Sequence, residues 1–131
     1  MNGNTVKLLL ADDSAIVRGA ICALLRDQTD IAVCGEVGNY ADLFKMLNEC
    51  APDIVLMDLR MPGEDRFDPA AIKDQLHGSC LLTMSFANDQ ETASLAKEYG
   101  ALKLLDKMQL ASTLLPAIEE CMQQSRTVHH G

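Results

Sequence analysis

Five short apolar runs recur along the chain, each stopped by polar residues and followed by a stretch with helical spacing. The first, Thr5 to Ala11 (TVKLLLA), stops at Asp12-Asp13; the second is Ile31 to Val37, with Gly35 as a point of irregularity. The third is Ile54, Val55, Leu56 and Met57, an unalternating run of the kind found in parallel strands covered on both faces. It ends on Asp58. A carboxylate buried mid-strand would cost on the order of several kcal/mol, so Asp58 belongs at the strand's carboxyl end. Ser79 to Ser85 (SCLLTMS) makes a fourth strand, and Leu102 to Leu105, ending at Asp106-Lys107, a short fifth.

The intervening stretches predict helices. Ser14 caps a first helix with Ile16, Val17, Ala20, Ile21, Leu24 and Leu25 on its apolar stripe. Asn39 caps a second, with Leu43, Phe44 and Leu47 inward, which ends before Pro52. Asp68-Pro69 has the cap-then-proline order of a helix start, and this short third helix closes at Gly78. Asn88 with Glu91 resembles a capping box for a fourth helix stopping at Gly100. The fifth, roughly Ala111 to Gln124, repeats Leu114, Leu115, Ile118 and Met122; Pro116 suggests a start a few residues later than the pattern alone. Strands alternating with helices indicate an α/β, doubly wound parallel sheet with helices on both faces and right-handed crossovers.

Composition changes this picture little. The chain has 131 residues, 48% hydrophobic and 23% charged, which suits one globular domain. Residues 1–125 are read as that domain and 126–131 as a frayed, disordered tail, in which His129-His130 is an exposed pair and not a metal site. A net charge of −8 and a pI near 4.7 argue against nucleic acid or an anionic membrane as a partner of this chain. No run spans a bilayer, and a cytoplasmic location is expected. Cys22, Cys34, Cys50, Cys80 and Cys121 form no C-x-x-C pair and are expected to be reduced, mostly buried thiols.

The chemistry gathers at strand ends: Asp12 and Asp13 after the first, Asp58 after the third, Ser85 after the fourth, Lys107 after the fifth. In a doubly wound sheet these emerge along one edge. Three carboxylates brought together require a cation, and Mg²⁺, which prefers oxygen ligands and keeps several waters, is the natural one. The Ser85 hydroxyl and Lys107 ammonium then face whatever anion joins the metal. Taken singly, these residues have simpler readings: Asp12-Asp13 as a helix-start acid pair, Ser85 as a strand-end cap, Lys107 as a surface charge. Their occurrence at successive strand ends outweighs those readings. Met57, Met61 and Met84 flank the site and are read as core filling.

With these motifs in place, the chain resembles a response-regulator receiver domain of bacterial two-component signalling. LLLADD, PDIVLMDLRMP, TMS and LLDK stand in that family's order and spacing, over residues 5 to 124. The wording is most similar to receivers joined to helix-turn-helix DNA-binding domains, though no such domain is read within this chain. The resemblance implies a flavodoxin-like (βα)5 three-layer sandwich with strand order 2-1-3-4-5. It implies that Asp58 accepts a phosphoryl group from a phosphohistidine on a sensor histidine kinase, and that the chain is a signalling phosphoacceptor, not an enzyme with a separate substrate. Asp13, Asp58 and the Arg60 backbone carbonyl would ligate Mg²⁺, with Asp12 acting through a water. Ser85 and Lys107 would contact phosphoryl oxygens. Homodimerisation through the fourth helix, fifth strand and fifth helix is implied likewise, with Lys97, Glu98, Lys103 and Asp106 as charges on that face.

Three positions depart from the family. Leu104 stands where receivers carry a Tyr or Phe that turns inward on phosphorylation. Phe86 stands where a small residue leaves room for the phosphoryl group, and Arg66 replaces a usual glycine. The leading reading is a phosphorylatable receiver with an atypical readout. The alternative is a pseudo-receiver, a protein-binding module independent of phosphorylation. A nucleotide binder on the same architecture is disfavoured, because Asp12-Asp13-Ser14 occupies the place of a glycine-rich phosphate loop.

Overall fold

The computed structural model describes residues 5–130, with side chains described to Gln124. Its strands are β1 (Val6–Ala11), β2 (Ile31–Val37), β3 (Ile54–Asp58), β4 (Cys80–Ser85) and β5 (Lys103–Asp106), and its helices α1 (Ala15–Leu25), α2 (Tyr40–Cys50), α3 (Pro69–Gln75), α4 (Gln90–Glu98) and α5 (Leu110–His130). All strand pairs are parallel and the order is β2-β1-β3-β4-β5, as expected for the doubly wound sheet. The irregularity at Gly35 is a register shift: Leu8 faces Val33 but Leu9 faces Gly35.

Alternating strand residues divide the core in two. Leu9, Val55, Met57 and Leu81 pack under α2, α3 and α4; Leu8, Leu10, Ile54, Leu56 and Leu82 pack under α1 and α5. Central β3 is buried along its whole length, which is why its sequence shows no alternation. Met57, Met61 and Met84 are core residues.

Helix starts follow side-chain caps. Ser14 accepts from Val17 N, Asn39 from Asp42 N and Asp68 from Ala70 N. The fourth helix differs by one residue from expectation. Its cap is Asp89, not Asn88, because the Asp89 carboxylate takes the Thr92 amide at 2.8 Å, and a charged acceptor suits the helix dipole. In α1 the inward face is Val17, Ile21, Leu24 and Leu25; Ile16 is 85% exposed and Ala20 is also outside. Both sit too far round the first turns to reach the sheet.

Pro116 does not delay α5, which begins at Leu110. Burial of Leu110 and Leu114 fixes the first turns, Ser112 and Thr113 hydroxyls bond the Gln109 carbonyl, and Pro116 faces solvent, where a helix tolerates an opened carbonyl. The tail expected over residues 126–131 lies outside the residues whose side chains are described.

The cysteine expectation needs correction. Cys80 and Cys121 form a disulfide, their Cα atoms 5.7 Å apart. Packing of α5 against the start of β4 brings them within bonding reach across 41 residues, a closeness no local spacing signals. Cys22, Cys34 and Cys50 are free, half-buried thiols. Burial pushes the Cys22 thiol up, and burial followed by the Cys50 contact pushes Cys34 up to about 12, so both stay protonated near neutrality.

Candidate functional site

The strand order sets β1, β3, β4 and β5 side by side, so their carboxyl ends share one edge. Asp12 and Asp58 are buried there and Asp13 is exposed; the three offer carboxylate oxygens that all lie within 4.8 Å of one another. Lys107 reaches in from the turn after β5, its side chain 5% exposed. Its Nζ lies 2.6 Å from Asp12 Oδ2 and 2.9 Å from Asp58 Oδ2. Asp58 Oδ1 accepts from Arg60 N at 2.9 Å, and Asp12 Oδ1 from Ser14 N at 2.8 Å. The sequence-predicted charges therefore meet.

Burial raises the Asp58 carboxyl above the ordinary carboxylate value, and the Arg60 amide and Lys107 offset only part of this. Burial also penalises the Lys107 ammonium, but its bonds to Asp12 and Asp58 prevail and raise it. The ammonium thus stays charged, and the Asp58 carboxyl is easier to protonate than an ordinary carboxyl.

Ser85 is buried at the end of β4, and its Oγ accepts from Ala87 N at 2.9 Å. It is a strand-end cap, with its hydroxyl proton left to donate. Phe86 is 62% exposed, and its ring lies over the Lys107 ammonium, 5.0 Å from Nζ to centroid. Leu104 is half-buried against the α2–α4 face of the core. The Arg60 guanidinium turns to the surface and pairs with Glu64 at 3.1 Å. Arg66 has no positive φ; Gly63, at φ 91°, takes the left-handed position in this loop.

Two supporting residues are absent from the sequence reading. Arg18, one turn into α1, bonds the Asp12 carbonyl and pairs with Glu36 at 3.3 Å. Tyr40, at the first position of α2, is wholly buried and donates to the Leu59 carbonyl at 3.0 Å. A tyrosine directly after a helix cap, among polar neighbours, was the available signal.

The sequence profile of the response regulator receiver domain matches residues 8–119. The chain belongs to this family. Among curated relatives of this receiver, the transcriptional regulatory protein LiaR of Bacillus subtilis is 32% identical over 114 residues, 86% of this chain and 54% of that protein. The transcriptional regulatory protein LnrK of the same organism is 31% identical over 127 residues, 96% of this chain and 54% of that protein. The receiver spans about half the length of both. A solved two-component response regulator of the LuxR family from Aurantimonas sp. SI85-9A1 superposes with a TM-score of 0.80 at 27% identity, covering 92% of this chain and 86% of that one.

Receiver domains bind Mg²⁺ in an acidic pocket, and the present residues fit such an ion. Asp12 Oδ2 is fully buried with the Lys107 ammonium beside it, and the carboxylate oxygens of Asp12, Asp13 and Asp58 gather there into an oxygen-rich donor set. Among the described residues, no helix is long and apolar enough to cross a membrane.

Proposed function

We propose that this receiver takes a phosphoryl group from a phosphohistidine of a sensor histidine kinase onto Asp58. The observation that carries the reading is the buried Lys107 ammonium bridging Asp12 and Asp58 beside a third carboxylate. In the transfer an Asp58 oxygen forms the new bond to phosphorus while the donor's N–P bond breaks, its electron pair returning to the imidazole. Asp58 reacts ionised, and its Oδ1 is already aimed by the Arg60 amide. Lys107 follows the negative charge from the carboxylate to a phosphoryl oxygen, and Ser85 donates its hydroxyl proton to another. Asp13, Asp58 and the Arg60 carbonyl would hold Mg²⁺, with Asp12 behind a water; the ion supplies charge neutralisation at the transferring group. Positioning and neutralisation are what phosphoryl transfer chiefly requires.

The proposed output is a change of partner-binding surface, including homodimerisation through the α4–β5–α5 face, in the cytoplasm and without nucleic-acid contact by this chain. With Leu104 in place of the ring that ordinarily turns inward, Phe86 is the aromatic placed to report on Lys107.

The test is intact mass after incubation with a small-molecule acyl phosphate, with and without Mg²⁺, beside an Asp58→Ala variant. One Mg²⁺-dependent phosphoryl adduct, absent from the variant, is expected. No adduct with any donor, together with partner affinity unchanged in Asp58→Ala, supports a pseudo-receiver in which Phe86 shuts the pocket.

A further inference from the structure

We propose that Tyr40 is a positioning residue for the Asp58 carboxylate, acting through the single peptide unit between Leu59 and Arg60. The inference rests on the reading of Asp58 as phosphoacceptor and metal ligand. The Tyr40 hydroxyl donates to the Leu59 carbonyl at 3.0 Å. The N–H of that same peptide unit, on Arg60, donates to Asp58 Oδ1 at 2.9 Å. A peptide unit is planar and stiff, so holding its oxygen fixes the direction of its N–H. One phenol thereby sets the plane of the reacting carboxylate.

The grip on this loop is double. Tyr40 N also donates to the Pro62 carbonyl at 3.0 Å, so one residue ties both ends of Leu59–Pro62. Between those ties lies Arg60, whose carbonyl is the expected third protein ligand. Gly63 follows at φ 91°, where an added Cβ would lie 3.5 Å from Tyr40 Cβ, so the loop turns directly against the clamp.

The chain of donors extends further. Tyr99, just beyond the end of α4 and 2% exposed, donates its hydroxyl to Tyr40 at 3.1 Å. Tyr99, Tyr40, the Leu59–Arg60 amide and Asp58 thus form one buried relay from α4 to the carboxylate. Each link polarises the next, strengthening the Arg60 donor. Two phenols are placed in the interior only because each finds a partner there.

The experiment compares wild type, Tyr40→Phe and Tyr99→Phe by Mg²⁺ titration calorimetry, thermal unfolding and acyl-phosphate adduct mass. Tyr40→Phe loses two buried hydrogen bonds and Tyr99→Phe loses one, and both melt earlier. Tyr40→Phe is expected to bind Mg²⁺ about tenfold more weakly, the lower end of what outer-shell partners of metal ligands contribute. Tyr99→Phe keeps the Tyr40–Leu59 bond and stays within about twofold of wild type. Equal Mg²⁺ affinity in Tyr40→Phe and wild type overturns the inference while leaving the phosphoacceptor reading intact. Equal weakening in both variants also overturns it, since that marks general loosening. A wild type that neither binds Mg²⁺ nor gains an adduct removes the site reading and the inference together. Where Tyr40→Phe does not fold, the Arg60 amide proton in Tyr99→Phe decides: an upfield shift supports the relay, and an unchanged shift overturns it.

Discussion

Lys107 carries the charge balance of the acidic edge. Its ammonium is the buried cation beside Asp12 and Asp58, so Lys107→Met leaves two buried carboxylates without their partner. We expect a loss of about 3 kcal/mol in urea unfolding, the scale for breaking a buried pair, with part of the loss recovered when Mg²⁺ is added. Tyr40 has a different pH signature. Burial, followed by its bond with Tyr99, raises its hydroxyl above the ordinary tyrosine value of 10.0. A raised value means the folded chain keeps a proton that the unfolded chain releases. The contribution is therefore fully present below pH 10 and is lost as pH rises beyond it. Unfolding free energies between pH 8 and 11 should fall more steeply for wild type than for Tyr40→Phe, and parallel curves would remove this account.

The elements end where backbone conformation permits. Helix α2 closes on Ala51 at φ 47°, ψ 60°, a left-handed position followed by Pro52, which cannot continue a helix. Ala51→Gly removes the Cβ penalty and is expected to raise stability by about 0.5 kcal/mol after the glycine's greater unfolded freedom is counted. Urea midpoints will show the sign. At the other end of the sheet, Cys80–Cys121 ties the start of β4 to α5 and closes a 41-residue separation. Reductant, or Cys121→Ser, should lower stability by about 4 kcal/mol on the chain-entropy account of loop closure. A melting temperature indifferent to reductant in wild type would contradict this. The helix caps at Ser14, Asn39 and Asp68 were legible because capping is local chemistry. The displacement from Asn88 to Asp89 was not, because both residues are competent caps and the burial of Thr92 chose between them.

Across the molecule, the −8 net charge concentrates self-repulsion where three aspartates meet. Monovalent salt should raise the melting temperature modestly by screening. Mg²⁺ at matched ionic strength should raise it further, by about 1.4 kcal/mol of stability at a tenfold excess over its dissociation constant. Asp13→Ala should erase the difference between the two salts in differential scanning calorimetry. Of the charges expected on the α4–β5–α5 face, Lys103 pairs with Glu120 at 2.9 Å and Asp106 caps Met108 N, while Lys97, Glu98 and Lys103 are all exposed. Strand number, helix number, parallel pairing and the aspartate–lysine edge were all readable from the chain, because apolar periodicity and strand-end residues are local and a parallel sheet aligns those ends. The Tyr99–Tyr40 bond, 59 residues apart, the Cys80–Cys121 bridge and the Phe86 ring over Lys107 were not. Each joins distant segments through helix packing against the sheet, and helix orientation comes from the summed fit of the whole core, which no short stretch of sequence encodes.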